Sequence, residues 1–307
     1  MFFLGAFHVA AASETRSFTD DIGRTVSVPL KPLRIASLHD IDVTIPLIEL
    51  GVIPVASHGR MGLAGKPYLR SSALLTGVDF DNSGIAYIGS VDIDLEALAE
   101  TRPDLIITAT GRPTPVETLE KIAPTVVIDP TQLGTSHAYR RLAELTATES
   151  RLTVLERRYQ AGIEALKQAA NTSEITVSVL QPLNGKLNVY HTYRALGQVL
   201  RDAGFRFAPI IDTIPAGGRI DISGERLPEL NADFIFDPYR SDTGGTSSEE
   251  IAAMEKVVPG FCAFLKACRD GRYILVSREE AISNSYAALA LMTAVVQSSV
   301  APRPSSR

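Results

Sequence analysis

The stretch Ile93-Asp94-Leu95-Glu96-Ala97-Leu98-Ala99-Glu100-Thr101-Arg102-Pro103-Asp104-Leu105-Ile106-Ile107 has a counterpart later in the chain. That counterpart is Ile222-Ser223-Gly224-Glu225-Arg226-Leu227-Pro228-Glu229-Leu230-Asn231-Ala232-Asp233-Phe234-Ile235-Phe236. In register, Glu96 falls on Glu225, Leu98 on Leu227, Glu100 on Glu229 and Asp104 on Asp233, and an apolar run follows each aspartate. Each copy predicts a short helix with an acid in its first turn, a tight connection and a buried strand. Short helix–strand units look alike in many α/β proteins, but a register shared through the whole unit favours duplication. The expectation is an α/β protein with two similar lobes, each presenting one equivalent outward-facing glutamate.

Strand and helix alternate on both sides of these copies. Residues 18–30 read as a hairpin turning at Asp21-Ile22-Gly23-Arg24, residues 34–38 as a buried strand, and residues 41–50 as a helix closed by Gly51. Residues 57–87 are irregular and rich in Gly, Ser and Tyr. Such alternation predicts Rossmann-like lobes, each a parallel sheet covered by helices. The first lobe is expected over 16–136 and the second over 172–301, with a tail at 302–307. Between them, 137–171 reads as a long bridging helix, in which Leu152, Leu155, Tyr159, Ile163 and Leu166 make one apolar stripe at spacings of three and four. About 22 residues of helix span roughly 33 Å at 1.5 Å per residue, enough to join two lobes stiffly.

Composition narrows the class. The chain is 45% hydrophobic and 21% charged, as expected of a globular protein with a core in each lobe. Its net charge of −5, without a basic block or a ladder of aromatics, argues against nucleic acid as a partner. The apolar, uncharged stretch 1–9 followed by Ala10-Ala11-Ala12 resembles the end of a secretory signal, so residues 1–15 read as a signal remnant or an extension. Cys262 and Cys268 are the only cysteines. On an unbroken helix they stand beyond the ~7 Å Cα limit for a bridge, so a disulfide requires the helix to end near Lys266.

Enzyme signatures are absent: there is no G-x-G-x-x-G, no Walker loop and no G-x-S-x-G elbow. The histidines at 8, 39, 58, 137 and 191 are too scattered for a transition-metal site. In open α/β sheets ligands bind beyond the carboxyl ends of the strands. The loops expected there carry Ser37-Leu38-His39-Asp40, His58-Gly59-Arg60, Gly111-Arg112, His191-Thr192-Tyr193-Arg194 and Asp237-Pro238-Tyr239-Arg240. Arginine and tyrosine lining a cleft suit an anionic ligand with some apolar surface. Arg112, Tyr239 and Arg240 are expected to face it, with His191, Tyr193 and Arg194 beside them and Arg60 and Tyr68 as further candidates.

The chain resembles the substrate-binding proteins of ABC importers for iron–siderophores, cobalamin and haem. The resemblance rests on Gly23-Arg24-Thr25-Val26-Ser27-Val28-Pro29, Leu47-Ile48-Glu49-Leu50-Gly51-Val52-Ile53-Pro54-Val55, Ile88-Gly89, Pro103-Asp104-Leu105-Ile106-Ile107, Ile122-Ala123-Pro124-Thr125 and Gly271-Arg272-Tyr273. Residues 111–124 look most like the ferric-hydroxamate branch. That branch carries a tyrosine where this chain has Arg112, an arginine in the region of Ser90-Val91-Asp92, and a tryptophan near Gly217; this chain has no Trp. The resemblance implies two lobes joined by a helix, a shallow cleft, and one glutamate on each lobe, Glu96 and Glu225, docking on permease arginines. It further implies a monomeric periplasmic binding protein, not an enzyme, delivering a ferric siderophore to an inner-membrane permease and its ATPase subunits. No cofactor is implied, since the siderophore brings its own iron. Cobalamin or haem is the alternative cargo within the class, with Tyr239 or His191 as an axial haem ligand. An enzyme with two Rossmann-like lobes, or a sensor on the same fold, is the rival from outside it.

Overall fold

The computed structural model describes residues 14–301. The signal-like stretch and the tail at 302–307 lie outside the described residues. The hairpin is antiparallel: β1 (Thr15–Thr19) pairs with β2 (Thr25–Pro29), and Phe18 and Val28 turn into the core. Five strands build the first sheet: β3 (Ile35–Ser37), β4 (Ala56–Ser57), β7 (Ala86–Tyr87), β8 (Leu105–Ala109) and β9 (Thr125–Ile128). A two-stranded ribbon, β5 (Arg60–Met61) with β6 (Pro67–Tyr68), lies between β4 and β7 in the chain. The sheet order is β7-β4-β3-β8-β9, and every pairing is parallel. All of β8 and β9 is buried, as a parallel sheet covered on both faces requires.

The second lobe holds β10 (Thr176–Leu183), β11 (Lys186–Tyr190), β12 (Arg206–Phe207), β13 (Arg219–Ile222), β14 (Phe234–Tyr239) and β15 (Tyr273–Ser277). Its sheet runs β13-β11-β10-β14-β15, with β12 also paired to β10. This sheet is mixed where a parallel one was expected. Asn184 and Gly185 both take positive φ, 53° and 72°, which makes a tight hairpin turn and sends β11 back antiparallel to β10. The rest of the sheet, β10, β12, β14 and β15, is parallel.

The duplicated units sit at equivalent places. Leu95–Glu100 is an α-helix whose Asp94 carboxylate accepts from the backbone N–H of Glu96 and Ala97. Gly224–Leu230 is a 3-10 helix carrying Pro228, which has no N–H to donate. Leu98 and Leu227 are fully buried. The aspartates that end the units fasten the first strand of each main sheet. Asp104 accepts from the backbone of Leu33 and Arg34 at 2.8 and 3.0 Å, just before β3. Asp233 accepts from the backbone and hydroxyl of Thr176 at 2.9 and 2.7 Å, where β10 begins.

The bridging region 137–171 is two helices rather than one, Gly134–Thr146 and Glu149–Ala169. The break is at Ala147, which takes φ +54°. The apolar stripe from Leu152 to Leu166 is buried on the second of them. Near its start Arg151 donates to the Glu49 carbonyl of the first lobe at 2.9 Å, and further along the Tyr159 hydroxyl donates to Asp202 of the second at 2.6 Å. The last helix, Tyr286–Val300, packs along it. Glu49 caps that helix from the first lobe, accepting from the N–H of Tyr286 and Ala287 and from the Tyr139 hydroxyl. One hydrophobic core therefore runs unbroken from Phe18 to Val300 through both lobes, and a second cluster around Leu38, Ile88, Leu98 and Ile106 fills the other face of the first sheet.

The cysteines are bridged. The chain leaves helical geometry at Leu265, between Phe261–Phe264 and Lys266–Arg269, which brings the Cα atoms of Cys262 and Cys268 to 5.1 Å.

Candidate functional site in the cleft between the lobes

On the first lobe, β3 runs into a π-helical turn, Asp40–Thr44, that opens the cleft wall. His39 caps this turn, its Nδ1 accepting from the Asp42 N–H at 3.1 Å. Burial lowers the His39 pKa to about 4, in keeping with an unprotonated Nδ1 that accepts. Arg70 forks onto the buried Asp40 carboxylate, Nε and Nη2 donating at 2.8 and 2.5 Å. Burial pushes the Asp40 carboxyl up, but the Arg70 fork and nearby His58 outweigh it and hold it well below the usual range. His58 is fully buried, its Nδ1 3.5 Å from Asp40 and its ring stacked on His39 at 5.7 Å.

Two further arginines stand on this wall. Arg60 on β5 lies across from Tyr68 on β6, so both side chains share one face of the ribbon. Gly59 lets the ribbon sit close, since a Cβ there would meet the Phe80 ring at 2.5 Å. Arg112 follows β8 and reaches the loop after Gly89, its Nη2 donating to the carbonyls of Ser90 and Val91 at 3.1 and 3.3 Å. Gly89 takes φ +109°, which lets that loop fold over. The Nε of Arg60 and the Nε of Arg112 are both buried without a hydrogen-bond partner among the described residues.

The second lobe answers with ion pairs. Arg194, at φ +44°, donates across the cleft to Asp42 at 3.0 Å and to Thr131 at 3.4 Å. The Tyr68 hydroxyl crosses the other way to Asp242, 3.3 Å from its carbonyl and 3.4 Å from its carboxylate. Arg240 is exposed and turned onto Asp242 at 2.8 Å, and Arg278 pairs with Glu279 at 3.0 Å. Tyr239 is half-buried at the end of β14. His191 holds Thr192 through Nδ1 at 2.9 Å. Tyr193 turns inward, only 4% exposed, with its hydroxyl on Gln181 and its ring edge-on to Tyr190. Tyr193 belongs to the same hydrophobic core as Ala195, Leu196 and Val199 of the helix that follows. Tyr193 therefore backs the wall.

Two cavities mark the ends of the cleft. One of 390 Å³ is lined by Thr131, Gln132, Tyr193, Arg194, Arg278 and Asn284. One of 290 Å³ is lined by Tyr68, Ser71, Ser241, Asp242 and Glu279. A larger cavity, 560 Å³, lies between the bridging and last helices. It is lined by neither arginine, and the unpartnered Nε–H groups of Arg60 and Arg112 favour the cleft instead. Sequence reasoning missed Arg70, Asp40 and Asp42 as site residues. Asp40 and His58 did stand in loops singled out at strand ends, but their pairing needs the fold. Glu96 and Glu225 are both exposed, and neither forms an ion pair among the described residues.

A family model described as "Periplasmic binding protein" matches residues 85–257, more than half of the chain. The chain belongs to the periplasmic binding protein family. It is an extracytoplasmic binding protein, not an enzyme. This binding protein is 30% identical over 185 residues to the iron(3+)-hydroxamate-binding protein FhuD of Bacillus subtilis, a match covering 55% of this chain and 56% of FhuD. The chain thus spans little more than half the length of that relative. It is 26% identical over 238 residues to the probable siderophore-binding lipoprotein YfiY of the same organism, covering 74% of this chain and 69% of YfiY. Among solved structures, Staphylococcus aureus SirA complexed with staphyloferrin B superposes with a TM-score of 0.75 at 20% identity, over 93% of the binding protein and 98% of SirA. Unliganded FhuD2 from the same species gives 0.70 at 23% identity, over 94% and 98%. At these identities the structures establish the two-lobed fold.

Proposed function

We propose that this protein captures a ferric siderophore in the interlobe cleft and delivers it, as a monomer in the periplasm, to an inner-membrane ABC permease driven by ATPase subunits. The observation that carries the reading is the cleft itself: strand-end loops of both lobes converge there, and guanidinium groups remain with donors to spare. Relatives whose names record iron-hydroxamate and siderophore binding support the choice of cargo. Arg60, Arg112, Tyr68, Tyr239 and Arg240 line the recognition surface, and Glu96 and Glu225 are the docking points. Native mass spectrometry of the purified protein against a panel of ferric siderophores tests the reading. A one-to-one complex whose ligand is recovered chemically unchanged is expected. Failure of every ferric siderophore to bind, or release of an altered ligand, would overturn it.

A further inference from the structure

The arginines of the cleft are unequally satisfied. Arg70 stands on Asp40, Arg194 on Asp42, Arg240 on Asp242 and Arg278 on Glu279, one carboxylate for each guanidinium. Arg60 and Arg112 have no carboxylate partner among the described residues, and each keeps a buried Nε–H without an acceptor. Both lie on the first lobe and feel one another: burial lowers the Arg112 pKa most, the Asp40 carboxylate pulls it partly back up, and the repulsion of Arg60 and Arg70 lowers it again. A partly buried pair of like charges with unused donors is costly unless an anion arrives.

We infer that the cargo is an anionic iron chelate, and that Arg60 and Arg112 of the first lobe are the residues that select for its negative charge. The inference rests on the reading of the cleft as a ferric-siderophore site and specifies the class of siderophore. Elementary charge counting separates the classes. Three hydroxamates cancel the charge of ferric iron and leave a neutral complex. Three catecholates, or hydroxycarboxylates of the citrate type, leave an excess of negative charge on outward-facing oxygens. A neutral chelate offers carbonyl oxygens to the guanidinium groups but leaves their charge uncompensated. An anionic one supplies acceptor and counter-charge together, which strengthens each hydrogen bond. The other arginines are held by the protein's own aspartates and glutamate, so they shape the cleft without adding to its surplus charge. Arg240, expected to face the ligand, is thus already neutralised by Asp242.

The test is calorimetric titration of the intact protein with three probes: a ferric tris-hydroxamate, a ferric tris-catecholate and a ferric hydroxycarboxylate complex, each at low and high salt. At least one anionic probe should bind about ten-fold or more tighter than the neutral one, with the advantage shrinking as salt rises. Arg60→Gln removes no hydrogen bond seen in the fold, and should cost the anionic probe about ten-fold or more. Arg112→Gln should do the same, and Arg112→Lys, which keeps the charge, should recover part of the loss. Tightest binding of the neutral tris-hydroxamate, or anionic binding indifferent to both glutamine variants, would overturn the inference and leave the siderophore reading standing. Binding of none of the three would overturn both.

Discussion

Beneath the cleft, three side chains make a buried acidic knot. The Tyr273 hydroxyl donates to one oxygen of Asp237 at 2.6 Å, while Asp237 Oδ1 and Glu250 Oε1 are buried with no donor. Burial pushes the Asp237 carboxyl well up, with Glu250 adding repulsion, and burial raises Glu250 from 4.5 to about 7. The two carboxyls therefore titrate as an interacting pair, both above the ordinary carboxylate range. The folded state keeps protons on both carboxyls where the unfolded chain releases them, so stability should fall as pH rises from about 4.5 through about 7 and go on falling above, where Asp237 still holds its proton. Glu250→Gln removes one of the two titrating carboxyls and supplies a permanent donor, so thermal melts of the variant should show a shallower decline. An identical slope in wild type and variant would show that the knot does not titrate there. Asp237 was visible in the sequence only as a polar residue in a strand-end segment. Its partners lie on a helix and a neighbouring strand, and nothing local links them.

At the scale of elements, the repeated unit explains itself through its last aspartate. Each one ties the backbone that opens the first strand of its lobe's main sheet, so helix, aspartate and strand form a clasp made twice. Burial pushes Asp233 up, yet Lys266 and Thr176 together hold it far below the ordinary carboxylate range. Asp104→Ala and Asp233→Ala should each destabilise the fold by about 0.5–3 kcal/mol, because each removes the carboxylate that accepts from two donors at a strand start. Urea unfolding measures this, and a loss confined to one of the two would argue against equivalent clasps. The register was legible because leucine and aspartate must recur to plug and tie each lobe. The role of the aspartate was not, because Leu33 and Thr176 lie far upstream of the residues that hold them. Likewise the stripe from Leu152 to Leu166 gave the bridge, and Asn184-Gly185 marked a turn. The break at Ala147 carries no glycine or proline to announce it.

For the molecule as a whole, a core continuous through both lobes leaves little freedom at the bridge. Solution scattering with and without cargo should show lobe rotation of only a few degrees; a large compaction would require a hinge that the packing does not provide. Glu96 and Glu225 lie outside this core, and replacing both with alanine should spare folding and cargo affinity while abolishing delivery. Transport assays in membranes holding the partner permease measure that loss, and normal transport by the double variant would remove the docking role. The paired lobes and these glutamates were readable from sequence, whereas the cleft's ion pairs depended on residues brought together only by folding. The Glu49 cap has a consequence for the order in which this architecture forms. Its carboxylate and the N–H groups it receives are 237 and 238 residues apart in the chain. A polypeptide made from its N-terminus offers that acid the Tyr139 hydroxyl first, and its two backbone partners only once the last helix has been synthesised. Closing so distant a contact is slow relative to local pairing. The first lobe's sheet needs only residues up to Ile128, so its strands can pair early while the seam between Glu49 and the last helix closes at the end.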